Sequence, residues 1–505
     1  MQKEKKGEKK LKLVPLVLMI LTAVFGFNNI PRSFYLMGYA AIPWFILSGL
    51  TFFIPFALMM AEYGAAFTDK SGGMYTWMEK STGSKYAFIG IFMQYSAYVI
   101  WMVNISSTIW IPLSNALFGS DKTSTFRFMG LNSTQVIGVL AISFVIITTI
   151  VISRGLGSIS RFTSIGGSAV ALLNIVLLIG ALFVFMAGGG KVAQPLSGMS
   201  FVSSPNPTYG SPMATLAFIV FAIFAYGGTE AFGGVVDQTE NAKVTFPRGV
   251  ALSAAIIIVG YAIGIFSVGA FIDWNNVLSG SNVNIANALY VIMNNLGYKI
   301  GLAAGLGQTA SLYAGRWMAR YVGISMFLSM MGSFLTFSYS PIKQLIEGTP
   351  KGLWPGRMAE VKNGVPTVAV WMQCALISLI IALTSFGGDV AQVFFTRLTL
   401  MANVSLTLPY LFLCGSYPAF KANKEINRPF EIFKTRRSAN AAALVSGVTV
   451  GFANLFTIIQ PAMSGDLSST LWMIAGPVIF SIMAWLMYSR YERSKCKEDL
   501  NVEKV

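Results

Sequence analysis

Hydrophobic and polar positions along this chain form long blocks, in which apolar runs are separated by short polar segments. A membrane-spanning helix needs about 20 mainly apolar residues to cross about 30 Å of hydrocarbon. Because run after run reaches this length, the pattern predicts an all-α integral membrane protein with 12 transmembrane helices. The predicted spans are 13–37, 42–66, 86–117, 134–153, 163–188, 212–236, 248–272, 318–345, 366–386, 390–413, 440–460 and 470–489.

The composition agrees with a membrane protein, since 54% of the residues are hydrophobic and 11% are charged. Soluble domains carry about 25% charged residues. A net charge of +16 could indicate nucleic acid in a soluble protein, but here most of the 36 lysines and arginines fall in loops on one side. The positive-inside rule makes that side cytoplasmic, so both termini are predicted inside and the partner is the lipid bilayer, with no nucleic acid.

The predicted organisation has one transport core and two additional helices. The long outer segment 273–317 is predicted to form short helices over the outer mouth, because a further span there would place the basic loop 421–437 outside. The predicted parts are a basic cytoplasmic tail (1–12), a ten-helix core (13–413, with repeats at about 13–188 and 212–413), a basic cytoplasmic loop (414–439), helices 11 and 12 (440–489) and a cytoplasmic tail (490–505).

Two of the predicted spans contain residues that interrupt a helix. "VFGFNNIPRS" (24–33) lies in span one and "AYGGTEAFGG" (225–234) in span six. The two spans are five apart, the offset of an inverted repeat of two five-helix halves, and matched interruptions of this kind mark the central site of a transporter. Non-helical backbone persists at membrane depth only where it lines a cavity or is buried in protein. At such a break, backbone N–H groups without a helical partner can bind a carboxylate, and backbone carbonyls without one can bind an ammonium group. The two interrupted spans therefore predict a binding site for a zwitterion.

The order of these features resembles the amino acid–polyamine–organocation (APC) superfamily of permeases, and in particular its glutamate/γ-aminobutyrate antiporter-like branch. The resemblance rests on the first interruption with Pro31, "SGGMYTWMEKSTGSKYAF" (71–88), the span-six motif, and "GLWPGRMAEVKNGVPTVAV" (352–370). It implies a five-plus-five inverted repeat with broken helices 1 and 6 plus two C-terminal helices. It also implies alternating access, a bacterial plasma membrane location, and a monomer or homodimer.

The resemblance also implies a substrate site at the two interruptions. Phe224 corresponds to an aromatic gate, while Asn104 of span three and Phe337 of span eight correspond to residues that face the site. Many members carry Gly-Ser-Gly at the break in span one, five residues before the proline, and its backbone binds the α-carboxylate of the substrate. Here Val24-Phe25-Gly26 occupies these positions, so the side-chain amides of Asn28 and Asn29 are the alternative partners for that carboxylate. The expected substrate-binding residues are Phe25, Gly26, Phe27, Asn28, Asn29, Asn104, Phe224, Ala225, Tyr226, Gly227 and Phe337.

Several polar residues leave two interpretations open. Asn28 and Asn29 either bind substrate or cap half-helices and bond to neighbouring helices. Glu230 either carries a proton, since burial disfavours a charged carboxylate, or stays ionised in hydrogen bonds or an ion pair. Arg32 and Arg397 either pair with an acidic substrate or play structural roles, and the latter is favoured. Outside this set, Glu62 is expected to be solvated or to pair at a cytoplasmic gate.

These observations favour a secondary amino acid transporter, an antiporter or a proton-coupled symporter, for neutral or acidic amino acids. A cationic amino acid or polyamine is the alternative substrate, and a sensor or partner subunit that binds without transport is the alternative function. An enzyme is not expected, because the deep ionisable residues identified are Arg32, Glu230 and Arg397 without histidine or paired acids. No GxxxxGK[ST] loop occurs, which excludes a primary pump for this chain alone. No cofactor or metal is expected.

Overall fold

The computed structural model describes residues 10–70 and 72–502, and these residues form helices without a β-strand. Residues 1–9 and 503–505 of the two predicted tails lie outside the described residues. The helices of the first half are α1 (Leu13–Val24), α2 (Asn29–Met37), α3 (Ala41–Ser48), α4 (Ile54–Ala66), α5 (Gly73–Thr82), α6 (Ser84–Thr108), α7 (Trp110–Phe118), α8 (Ser133–Ser153) and α9 (Leu156–Ala187).

The second half begins with an apolar helix and a 3-10 helix, Thr229–Val235, that follows it after a break. The α-helices of this half are α10 (Pro212–Phe224), α11 (Ala242–Phe271), α12 (Trp274–Val277), α13 (Ala288–Ala303), α14 (Gln308–Gly348), α15 (Thr367–Phe386), α16 (Gly388–Thr407), α17 (Pro409–Ala422), α18 (Arg436–Met463) and α19 (Leu467–Val502).

Ten stretches of the described chain are long and apolar enough to cross a membrane. One of them is the 54-residue run Leu13–Ala66, which contains the first two predicted spans, and Pro212–Phe224 in the sixth is apolar but shorter than the others. The chain is therefore an all-helical protein with many membrane-spanning segments, as the sequence predicts. The count of 12 spans remains a prediction.

Both predicted interruptions are present. Helix α1 ends at Val24 and α2 begins at Asn29, with Pro31 in its first turn, where a missing N–H costs nothing. In span six, α10 ends at Phe224, and Gly228 precedes the 3-10 helix with a φ of 112°, a conformation that favours glycine.

Several segment ends differ from the sequence prediction. Helix α9 begins at Leu156 instead of 163, α11 begins at Ala242 instead of 248, and α19 continues to Val502, into the predicted tail 490–505. Helix α14 begins at Gln308 instead of 318, and the outer segment before it contains the expected short helices α12 and α13. Helix α17 continues to Ala422, so only 423–435 of the predicted loop 414–439 is irregular. The helix continues because Leu413, Tyr417 and Phe420 keep a buried apolar face at helical spacing.

Small residues allow close packing around the first interrupted span. A side chain at Gly167 of α9 would come within 2.3 Å of the Leu18 carbonyl oxygen of α1, and one at Gly166 within 2.7 Å of the Leu328 carbonyl of α14. Close backbone approach at glycine is the usual way in which membrane helices pack. Helix α9 therefore fixes α1 against α14 and positions the interruption that follows.

Candidate functional site

A cavity of about 450 Å³ lies between the two interrupted spans and helices α6, α14, α16, α17 and α18. Its wall includes both aromatic and hydrogen-bonding side chains, which can hold a small polar organic molecule. Its lining residues are Ala23, Ala97, Tyr98, Ile100, Trp101, Asn104, Phe224, Gly227, Gly228, Glu230, Phe337, Thr399, Ala402, Asn403, Leu406, Thr407, Tyr410 and Thr457.

Glu230 is the one ionisable carboxyl group in this wall among the described residues, and it is only 1% exposed. Its Oε1 accepts a hydrogen bond from the hydroxyl of Tyr98, and its Oε2 accepts one from the backbone N–H of Gly228 at 3.0 Å. The same N–H lies 3.2 Å from the hydroxyl oxygen of Tyr410. No lysine or arginine in the described part of the chain forms an ion pair with Glu230. One phenol and one amide thus hold this carboxyl group, and a second phenol contacts the same amide.

An aromatic wall faces this carboxyl group. Phe337 of α14 stacks on Tyr98 and makes an edge contact with Trp101, both with ring centroids 5.0 Å apart. A side chain at Gly228 would come within 3.1 Å of both the Phe337 ring and the Ala23 carbonyl oxygen. The break in span six therefore lies directly against this wall. Its backbone conformation favours glycine at position 228, and the tight contacts leave little space for a side chain.

The break in span one is closed by Tyr261 of α11. The Tyr261 hydroxyl accepts hydrogen bonds from the Gly26 N–H at 3.2 Å and from Asn29 Nδ2 at 3.0 Å. It also lies 3.3 Å from the Val24 carbonyl oxygen and 3.2 Å from the Ala225 carbonyl oxygen, to which it donates. One hydroxyl group therefore satisfies polar groups at both interruptions.

The structure brings together Asn104, Phe224, Gly227, Glu230 and Phe337 in the wall of the cavity. The other expected residues do not line it: Phe25 and Tyr226 pack their rings against Tyr261, at centroid distances of 4.7 and 5.4 Å, and Phe27 is fully buried. The residues placed outside the cavity wall are Phe25, Gly26, Phe27, Asn28, Asn29, Ala225 and Tyr226.

Neither candidate arginine lines the cavity. The guanidinium group of Arg32 lies 4.6 Å from the ring centre of Phe221, and that of Arg397 lies 5.1 Å from the ring centre of Trp472. Cation–π contacts of this kind stabilise an arginine in an apolar setting without a carboxylate. Both arginines therefore occupy structural positions next to aromatic rings.

A second group of charges lies at the end of α4 and the loop 423–435. The carboxylate of Glu62 is fully buried and accepts hydrogen bonds from the Tyr417 hydroxyl (2.6 Å), Lys421 Nζ (3.0 Å) and the N–H groups of Ile432 and Phe433 (2.7 and 2.8 Å). A solvated Glu62 is therefore wrong, because loop and helix cover it completely, and the paired alternative is the one observed.

Lys421 also binds Glu431 at 2.9 Å, and Arg428 binds Glu431 at 2.7 Å. The hydrogen bond from Lys421, followed by the contact with Arg428, holds the pKa of the Glu431 carboxyl below its usual range. We call Glu62, Tyr417, Lys421, Arg428 and Glu431 the Glu62 cluster. It fixes the loop to α4 and α17.

Sequence reasoning missed Lys343, which is fully buried near the end of α14. Its Nζ lies 2.8 and 2.9 Å from the two carboxylate oxygens of Asp237 and 3.0 Å from the Gly234 carbonyl oxygen. The available signal was a lysine inside the predicted span 318–345. This ion pair connects α14 to the segment that follows the 3-10 helix.

Sequence reasoning also missed Tyr98, Tyr261 and Tyr410. Each is a tyrosine in an apolar helix, and a buried hydroxyl group usually finds a polar partner. That rule could have marked them as residues with partners, but it could not have identified the partners.

Comparison with known proteins agrees with this architecture. The family model described as "Amino acid permease" matches residues 11–488. The chain is 52% identical to the inner membrane transporter YjeM of Escherichia coli (strain K12), over 96% of each chain. It is 22% identical to a glutamate/gamma-aminobutyrate antiporter of Lactococcus lactis (93% of this chain, 90% of the relative) and 24% identical to that species' aspartate/glutamate permease AcaP (89% and 86%). The chain therefore belongs to the amino acid permease family, within the APC superfamily, whose members are membrane transporters and not enzymes.

Proposed function

We propose that this protein is a secondary active transporter that carries amino acids across the bacterial plasma membrane by alternating access. The observation that carries the proposal is the 450 Å³ cavity between two interrupted helices, with the buried carboxyl group of Glu230 in its wall. Interrupted helices at membrane depth characterise the central sites of secondary transporters. The substrate binds in this cavity, and no cofactor takes part.

In this proposal the chain crosses the membrane twelve times, with five-plus-five inverted repeats and two further helices. Support comes from the two interruptions, which lie five predicted spans apart, and from the run Leu13–Ala66, which is long enough for two crossings. The basic loop 423–435 and both termini lie in the cytoplasm, as the positive-inside rule predicts. The Glu62 cluster and the Lys343–Asp237 pair then lie at the cytoplasmic end.

Transport is either exchange of two solutes or symport with a proton, and Glu230 is the group that would carry the proton. It is the ionisable carboxyl group of the cavity wall, and hydrogen bonds rather than a fixed cation stabilise it. Glu230→Gln is expected to weaken the pH dependence of uptake, whereas Glu360→Gln at an exposed ion pair leaves it unchanged. An unchanged pH profile in Glu230→Gln would remove the proton-carrying role.

The decisive experiment is counterflow in liposomes that contain the purified protein. Vesicles loaded with one unlabelled amino acid are given the labelled form outside, across the twenty amino acids and γ-aminobutyrate. We expect accumulation of label with at least one of them. Ligand-dependent thermal stabilisation without counterflow would instead indicate a protein that binds but does not transport.

A further inference from the structure

The charges around the cavity limit the substrates that it can accept. Among the described lining residues, Glu230 is the one acidic side chain, and no lysine or arginine is present. The remaining polar side chains offer neutral hydroxyl and amide groups. They are Tyr98, Asn104, Thr399, Asn403, Thr407, Tyr410 and Thr457.

The cations considered above lie outside the cavity lining. Arg32 and Arg397 lie over the rings of Phe221 and Trp472, outside the lining. Lys343 pairs with Asp237 at 2.8 Å. None of the three lines the cavity.

Two backbone N–H groups at the interruptions, one in each, are also engaged. The Gly26 N–H donates to the Tyr261 hydroxyl, and the Gly228 N–H donates to the Glu230 carboxylate. In a cavity wall without lysine or arginine, unpaired N–H groups at the N-terminal ends of the half-helices are the groups that could bind an anion. Here protein groups already use these two donors.

A substrate with two carboxylates would therefore place an uncompensated negative charge beside Glu230. Burial of an unpaired carboxylate is costly, and a wall without lysine or arginine offers the second carboxylate no cation to pair with. A substrate with one ammonium group and at most one carboxylate avoids this cost, because its ammonium group can face Glu230 while neutral amide and hydroxyl groups receive its carboxylate.

We propose, on the basis of the transport function proposed above, that the cavity accepts amino compounds with at most one carboxylate and rejects dicarboxylic amino acids. Neutral amino acids are the principal substrates in this class. The proposed selectivity excludes the two amino acids in the name of the aspartate/glutamate permease, the relative that is 24% identical to this chain.

The test compares pairs of substrates that match in size and differ in charge. Counterflow at pH 7 is measured for glutamine against glutamate and for asparagine against aspartate, alongside the other neutral amino acids and γ-aminobutyrate. We expect each acidic amino acid to be transported at least tenfold more slowly than the best neutral one. Glutamate or aspartate transport at a rate equal to that of the best neutral substrate would overturn the selectivity while supporting transport. Absence of counterflow with every compound would overturn the transport function itself.

A variant of the wall separates charge from shape. Asn403 lies exposed to the open cavity on α16, so Asn403→Lys adds a cation to the lining, and Asn403→Met adds similar length without charge. We expect the glutamate-to-glutamine rate ratio to rise at least tenfold in Asn403→Lys and to stay unchanged in Asn403→Met. Equal ratios in two folded variants would overturn the proposal, and the comparison of natural substrates decides it independently if the lysine variant does not fold.

Discussion

The buried carboxylate of Glu62 allows a quantitative test of how the loop 423–435 is held. The substitution Glu62→Gln keeps the size of the side chain and removes its charge. Glutamine can direct its carbonyl oxygen toward the N–H groups of Ile432 and Phe433, which the native Oε1 accepts at 2.7 and 2.8 Å. The amide then faces the Tyr417 hydroxyl and Lys421 Nζ, which bond the native Oε2 at 2.6 and 3.0 Å. The Tyr417 hydroxyl can rotate and accept from the amide, whereas Lys421 Nζ can only donate and loses its acceptor.

The expected size follows from these contacts. Removing one partner of a buried ion pair costs about 3–5 kcal/mol when the other charge is left alone. Lys421 is not left alone, because Glu431 lies 2.9 Å from its Nζ. The loss is therefore closer to one charge-assisted hydrogen bond, about 1.5–3 kcal/mol. We expect Glu62→Gln to lower the free energy of unfolding by about 2–3 kcal/mol.

The measurement is reversible unfolding in mixed detergent micelles, followed by tryptophan fluorescence. Glu360→Gln is the matched control, since it removes the same charge from an exposed pair with Arg357. A cycle with Lys421→Met tests the contact itself, and the two substitutions should be coupled by at least about 1 kcal/mol. A Glu62→Gln variant as stable as the control, or additive effects in the cycle, would refute this account of the cluster.

Three further predictions concern the interruptions and the loop. Tyr261→Phe should lower the free energy of unfolding by about 1–3 kcal/mol in the same assay, because it leaves buried polar groups unpaired; an unchanged value would contradict the bridging role. Gly228→Ala should abolish counterflow, because the φ of Gly228 is 112° and the added carbon would lie 3.1 Å from Phe337. Gly157→Ala is the control, since Gly157 has open space around it, and it should retain counterflow. Equal counterflow by the two variants would contradict this prediction. The lowered pKa of Glu431 means that its pairing stabilises the fold above about pH 4.3, and is lost as the pH falls through the folded-state pKa. The difference in melting temperature between wild type and Glu431→Gln should thus be constant from pH 8 to about 5.5 and shrink as the pH falls below about 4.3. A difference that is unchanged between pH 5.5 and pH 3 would contradict the pairing.

The sequence predicts the interruptions well because their causes are local. Gly26 and Pro31 in one span and the Gly227-Gly228 pair in the other disfavour a continuous helix wherever they stand. The same local signal cannot tell which side of a broken helix faces the cavity. The sequence therefore leaves Asn29 either at the substrate or bonded to a neighbouring helix, and in the structure it hydrogen-bonds Tyr261 of α11.

The cavity wall was predictable only where a family pattern marked it. Asn104, Phe224 and Glu230 match positions of the family pattern, and all three line the cavity. Thr399 and Asn403 of α16 match no such position. A single threonine or asparagine in an apolar span is equally compatible with a lipid-facing position and with a position packed against another helix. Their placement depends on how α16 packs against other helices, which residue spacing within one span does not encode.

The charged residues show the same limit more clearly. A deep arginine suggests a carboxylate partner, yet Arg397 lies over Trp472, a residue 75 positions later in the chain. Lys343 and Asp237 pair across a comparably long separation. Sequence alone shows that a buried charge must be stabilised, and only the packing shows by which group.

The central claim is that substrate moves through the cavity between the interrupted helices. Counterflow of the best amino acid substrate by Thr399→Trp tests it most directly, because Thr399 lines this cavity, and an indole there obstructs it. Val393→Trp is the matched control on the same helix, at a side chain that is 51% exposed. We predict that Thr399→Trp folds but loses counterflow while Val393→Trp retains it; equal counterflow by the two folded variants would contradict the claim.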